Sequence, residues 1–130
     1  MSFGERRLDR TKPEGDPPAG TAPDGLVVTE LVEGTGAEAT AGKQISCHYV
    51  GVTFGGEEFD SSWNRGQPLD FTVGVGQVIR GWDQGLLGMR VGGRRRLEIP
   101  SELAYGSRGA GGVIGPDEAL VFVVDLLDVR

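Results

Sequence analysis

One short stretch of this chain carries a helical period. Between Gln77 and Leu87, Val78, Trp82 and Leu86 fall four apart with Ile79 beside them, which places one apolar stripe on a short helix. Gly88 and the pair Gly92-Gly93 end it. The remaining patterned segments alternate instead. From Gln44 to Tyr49, Ile45, Cys47 and Tyr49 point one way and Gln44, Ser46 and His48 the other, the mark of a half-buried antiparallel strand. Leu26 to Leu31 reads as a first strand, followed by a turn at Glu33-Gly34-Thr35-Gly36. Gly55-Gly56 suits a tight hairpin whose return strand ends at Glu58-Phe59-Asp60. Leu69, Phe71 and Val73 share the inward face of another strand, Leu97 and Ile99 that of the next, and the apolar run from Leu120 to Val129 suits a central position. One helix cannot cover roughly five or six strands on both faces, so the economical architecture is α+β: a curved antiparallel sheet wrapped around that helix.

A length of 130 residues allows one domain with a modest core. Residues 1–24 hold Pro13, Pro17, Pro18 and Pro23 among polar neighbours without apolar periodicity, so the expected organisation is a disordered arm over 1–24 and a folded domain over 25–130. The opening residues lack an apolar core of the kind a secretory signal needs, and no run of apolar residues is long enough to span a membrane. The net charge of -6 argues against a nucleic-acid partner. Arg94-Arg95-Arg96 reads as the solvated start of a strand, and a lone cysteine, Cys47, forbids an internal disulfide. The expected setting is cytoplasmic and the expected state a monomer.

Covalent, redox and metal chemistry lack parts. A metal site needs several converging ligands, whereas the chain has one His and one Cys. These are neighbours in a strand, Cys47 and His48, so their side chains leave opposite faces. Cys47 then reads as a small core residue and His48 as a surface one. No nucleophile elbow or phosphate loop occurs, and Gly74-Val75-Gly76 lacks the third glycine of a dinucleotide fingerprint because Ile79 stands there. Glu57-Glu58 reads as a pair of solvated charges. No metal and no cofactor are expected.

What the chain does concentrate is aromatic residues at inward positions: Tyr49, Phe59, Phe71, Trp82, Tyr105 and Phe122. Two carry hydroxyls that demand partners if buried, and a carboxylate, Asp60, follows Phe59 directly. Taken alone, this pattern fits an aromatic core and a shared ligand pocket equally well.

The segments ISCHYVG, EFDSS, PLDFTVGVGQVIRGWDQGL, LAYG and ALVFVVDLLDV, in this order and spacing, resemble the FKBP-type peptidyl-prolyl cis/trans isomerases, in a single-domain form like the bacterial ones. The resemblance runs from about Gly34 to the C-terminus and favours the pocket. It implies a half β-barrel on the helix, isomerisation of Xaa-Pro bonds in protein chains in aid of folding, and binding of macrolides such as rapamycin and tacrolimus. It further implies Trp82 as the floor beneath the proline ring, with Tyr49, Phe59 and Phe122 as walls and Phe71 deeper. Val78 and Ile79 stand at the helix side, and Ala110 and Ile114 belong to the same ligand-binding set. The Ile79 N–H and the Tyr105 hydroxyl resemble the family's donors to ligand carbonyls, and Asp60 the acid that meets a macrolide hydroxyl. Two positions depart: Leu69 stands where an aromatic is common, and Ala110 where a histidine or larger side chain often lines the rim. The same pocket without turnover would make a binding module for proline-containing segments, the competing reading.

Overall fold

The computed structural model describes residues 11–15 and 22–130. Six strands form one antiparallel sheet: β1 (Val27–Val32), β2 (Gln44–Thr53), β3 (Glu58–Ser61), β4 (Leu69–Thr72), β5 (Arg94–Ile99) and β6 (Leu120–Val129). Their order is β1-β5-β6-β2, and the far edge of β2 is shared, β4 pairing with its first half and β3 with its second. Two single-turn-scale helices interrupt the strands, α1 (Ser62–Arg65) and α2 (Arg80–Gly85). The fold class matches the expected curved sheet around one short helix.

Alternation does the sorting. On β2, Ile45, Cys47 and Tyr49 face the helix and are buried, and opposite them β6 contributes Phe122, Val124 and Leu126. Leu97 and Ile99 complete the inner face from β5. Trp82, Leu86 and Met89 enter this concavity from the other side and close a single core. β6 is central, as its apolar run predicts, and its outward Val121 and Val123 are as buried as the inward residues.

The helix comes very near the sheet because its facing side has no side chains. A Cβ on Gly81 would lie 2.5 Å from Ile99 Cγ2, and one on Gly85 2.9 Å from Leu97 Cδ2. Both neighbours are fully buried, so neither can step aside. Glycine costs helix propensity at these two positions and gains the close approach that seats Trp82.

The helix is shorter than its periodic stretch. Residues 77–79 stay outside it, with Ile79 at φ -58° and ψ 151°, and Gly88 at φ 84° lies just beyond the C-terminal end. Val78 therefore reaches the interior from the bend that precedes the helix rather than from a helical turn. The turn expected at 33–36 is absent as well: this segment runs alongside residues 89–93, with Gly36 N–H donating to Val91 O and Ala39 N–H to Met89 O. Gly34 is packed so tightly on the Arg90 and Val91 carbonyls that a Cβ would overlap them. The Gly55-Gly56 hairpin forms as expected, Gly56 taking φ 92° and donating to Thr53 O.

Three surface expectations need correction. Arg94, Arg95 and Arg96 are half-buried rather than solvated, and each meets a carboxylate: Asp125 at 2.6 Å, Glu30 at 2.8 Å and Glu98 at 3.7 Å. His48 does lie on the outer face, but it is half-buried, stacked on Trp63 with ring centroids 4.1 Å apart, and its Nδ1 is 2.8 Å from Ser62 Oγ. Glu58 is not a free solvated charge, because Lys12 Nζ stands 2.8 Å from it. The arm expected over 1–24 falls partly outside the described residues. Residues 11–15 are seated against the sheet, where Gly15 touches Val52.

The glycine contact with Ile99 generates a stability prediction. Gly81→Ala gains about 1 kcal/mol of helix propensity. The overlap in a closed core outweighs that gain, so a net loss of about 1–2 kcal/mol is expected in denaturant melts. An unchanged or raised midpoint would show that the helix sits further from the sheet than described.

Candidate functional site

A cavity of about 440 Å³ opens between the sheet and the segment leading into α2. Its lining is Tyr49, Phe59, Asp60, Leu69, Gly76, Gln77, Val78, Ile79, Trp82, Tyr105 and Phe122. Nine of the twelve residues singled out in the sequence thus meet in one place. Phe71 lies beneath it, buried against Trp82 with centroids 5.6 Å apart. Ala110 and Ile114 do not line the cavity: they bond to each other across a small turn, and the Ile114 side chain is buried in the core.

Trp82 forms the floor. The edges of Tyr49 and Phe122 meet it at 5.0 Å and 5.2 Å, with interplanar angles of 84° and 87°, the edge-to-face geometry that aromatic quadrupoles favour. Its indole N–H is buried without a hydrogen-bond partner, a costly arrangement in a core. The walls depend on a glycine and a bulge. Gly51 faces inward opposite Phe122, and the rings of Phe59 and Phe122 meet over it, each 2.7 Å from where a Cβ would be. On β3 the register slips between Gly51–Asp60 and Val52–Glu58, leaving Phe59 as the extra residue. A bulge of this kind lets two consecutive residues, Phe59 and Asp60, line the same cavity.

The rim on the helix side is built by Asp83. Its carboxylate accepts the N–H groups of Gly74 and Gly76, both at 2.8 Å, in a turn where Gly74 and Gly76 adopt φ 84° and 86°. Gln77 Oε1 accepts the Thr72 N–H at 2.9 Å. Gly76 and Gln77 are the lining residues that sequence reasoning missed. The signal was present as two glycines flanking one residue, followed by an acid in the first helical turn. Among the described residues the Ile79 N–H takes no intramolecular partner, because it precedes the first turn of α2.

Only one side of the cavity is charged. Asp60 Oδ2 accepts the Tyr49 hydroxyl at 2.6 Å, Arg65 donates to Asp60 Oδ1 at 2.6 Å, and Arg65 also donates to the Tyr49 oxygen at 2.8 Å. Burial pushes the Asp60 carboxyl up, but the bonds from Tyr49 and Arg65, the arginine charge and the Ser61 N–H outweigh it and hold the group below the usual range. Burial and the adjacent carboxylate push Tyr49 up to about 12. Burial lowers His48, on the other face, against the pull of Asp125. Tyr105 stands at the mouth, 40% exposed, its pKa raised by burial and by the Asp60 charge. The Cys47 thiol lies in the core, where burial and the charges of Asp70 and Asp125 push its pKa up and make it a poor nucleophile. Among the described residues no three His, Cys, Asp or Glu side chains converge as a metal site would require. The arrangement offers shape, an apolar surface and a few fixed donors, and no group poised to exchange a proton near neutrality.

The family model for FKBP-type peptidyl-prolyl cis-trans isomerase matches residues 36–127. The chain is similar to an FK506-binding protein of Streptomyces anulatus, at 60% identity over 120 residues, which covers 91% of this chain and 97% of that one. It is also similar to an FK506-binding protein of Neisseria meningitidis serogroup B, at 56% identity over 81% of this chain and 96% of the relative. Among solved structures, the crystal structure of AtFKBP13 superposes with a TM-score of 0.77 and 46% identity over 84% of this chain and 96% of that one. FkpA from Escherichia coli superposes at 0.75 with 42% identity over 82% of this chain and 48% of that one.

The Asp60 network makes a prediction about pH. The folded pKa lies below the unfolded one, so its contribution to stability is fully present above about pH 4 and is lost as pH falls through the folded value. Urea midpoints of the unaltered chain and of Asp60→Asn should therefore differ at pH 7 and converge as the pH falls through the folded value. A gap that stays constant with pH would dissolve the assigned network.

Proposed function

The chain belongs to the FKBP-type peptidyl-prolyl cis-trans isomerases, and from that premise we propose that the Trp82 cavity is where it turns Xaa-Pro bonds. The observation that carries this reading is the floor itself: an indole framed edge-on by Tyr49 and Phe122, open to a cavity without a titrating catalyst. The proline ring lies on Trp82 between Tyr49, Phe59 and Phe122, and the Ile79 N–H and Tyr105 hydroxyl hold the flanking carbonyls.

The chemistry asks for no more. Rotation about a peptide bond meets a barrier of about 18–20 kcal/mol because conjugation gives the C–N bond double-bond character. At the twisted midpoint that conjugation is broken and the amide is less polar than when planar. An apolar socket therefore favours the twisted form over the planar one. Fixed donors and a snug ring seat add orientation, and catalysis is differential binding of the twisted amide. No bond to the protein forms and no proton leaves.

The partners are proline-containing polypeptides in the process of folding. Relatives named for FK506 binding, together with Asp60 at the rim, support macrolide binding at the same site. Leu69 lines the cavity where an aromatic is common, so that wall is less extensive. We assign the chain to the cytoplasm as a monomer, in keeping with its single buried thiol; among the described residues no helix is long and apolar enough to cross a membrane.

Two measurements test the reading. Phe-Pro or Leu-Pro peptides should exchange faster in the presence of the protein, followed by NMR line shape, and binding should change Trp82 fluorescence more than that of Trp63 on the far face. Tyr105→Phe removes one donor and keeps the ring, so ligand affinity should fall roughly two- to tenfold while the urea midpoint holds. A lowered midpoint with unaltered affinity would make Tyr105 part of the core and remove it from the site.

A further inference from the structure

The two elements that carry the charged wall of the cavity are both short. β3 has four residues, lies at a sheet edge and is bulged, and α1 has a single turn. Strands and helices this short are marginal on their own pairing. Their positions nevertheless decide the site, because Phe59 and Asp60 belong to β3 and the arginine that holds Asp60 and Tyr49 is Arg65 of α1.

A third segment ties them together from behind. Lys12 Nζ lies 2.8 Å from both carboxylate oxygens of Glu58 and 3.2 Å from Asn64 Oδ1, and Asn64 Nδ2 donates to Glu58 at 3.1 Å. The triangle is closed, and two of its corners adjoin the charged wall: Glu58 precedes Phe59, which lines the cavity, and Asn64 precedes Arg65, which holds Asp60. Three residues on, Gly15 lies on Val52, the partner of Glu58 across the bulge, so closely that a Cβ would overlap the Val52 methyl groups. Val52 faces outward yet is only 4% exposed. Residues 11–15 thus span the back of the bulge with a charged anchor at one end and a glycine-only contact at the other.

We propose that Lys12 is a positioning residue for the isomerase site, which together with Gly15 clamps the amino-terminal segment across β3 and α1 and so fixes Phe59 and Asp60. This rests on the reading of Phe59 and Asp60 as walls of the site. Lys12 touches no substrate; it acts through Glu58 and Asn64. One partly exposed ion pair adds little to global stability. Its effect is local, on the back of a bulged edge strand, and it therefore reads out in substrate binding.

The test uses the full chain and an Xaa-Pro peptide. Lys12→Ala should raise KM roughly two- to fivefold, what an exposed ion pair is worth, with kcat and the urea midpoint nearly unchanged. Lys12→Arg should restore KM, and high salt should raise KM for the unaltered chain towards that of Lys12→Ala. Gly15→Ala keeps every charge but forces the segment off Val52, so it should raise KM in the same direction. Combining it with Lys12→Ala should add less than the sum. Phe59→Leu serves as the control for the site itself. If Phe59→Leu raises KM and neither Lys12→Ala nor Gly15→Ala does, the clamp is overturned and the site stands. If Phe59→Leu leaves KM unchanged, the site reading falls and the clamp with it. A lowered urea midpoint with unaltered KM in Lys12→Ala would make the contact merely structural and equally overturn the proposal.

Discussion

An indole the size of Trp82 can sit inside a sheet this small only if the backbone carrying it comes nearly into contact with the strands. Gly81 and Gly85 permit that approach, placing the helix backbone against Ile99 and Leu97 with no side chain between them. Trp82 itself then projects to where Tyr49, Phe71 and Phe122 meet it. The same ring is core on one face and floor on the other. A cavity bounded by such a residue is rigid by construction, because its floor cannot move without opening the packing of the whole domain. This also accounts for how a domain of modest size can hold an open cavity and a closed core together.

The polar side of the cavity follows a different logic. Asp60, Tyr49 and Arg65 each satisfy two of the others' bonding positions, which keeps a carboxylate ionised and a phenol neutral at the edge of an aromatic pocket. A closed set of this kind fixes orientation without offering an acid or base. Isomerising an amide makes no demand for one. The structure therefore places its ionisable groups for geometry, and the rest of the cavity lining is mostly apolar.

Support for this inner surface comes from the outer face of the sheet. Ser62 Oγ accepts the Tyr49 N–H at 2.7 Å and lies beside His48, which stacks on Trp63. Asp125, almost fully buried, takes a two-pronged bond from Arg94. Such a charge is tolerated inside only because it is paired. Behind the central strands the sheet carries a second layer of specific contacts, and the contact of residues 11–15 on Val52 belongs to it.

The sequence by itself determined which faces of which strands are apolar, that one short helix carries Trp82, and the aromatic set that meets there, although of the expected stripe only Trp82 lies within the helix. These rest on periods of two and of 3.6, which a chain displays without reference to its partners. Cys47 in the core and the central position of β6 were legible for the same reason. Properties that depend on pairing were not. Phe59 and Asp60 are neighbours that alternation would send to opposite faces, and only the register slip against Gly51 and Val52 turns both inward. Gly76 and Gln77 joined the lining because Asp83, reaching back from the helix, holds their turn. Ala110 and Ile114 left it because they pair with each other and bury Ile114. The three arginines looked solvated until Asp125, Glu30 and Glu98 were brought beside them. Residues 11–15, polar and aperiodic, carried no sign of a seat, since the Lys12 partners lie 46 and 52 residues away. Local pattern reports what a residue prefers to face; which residue it meets is decided only when the chain closes on itself.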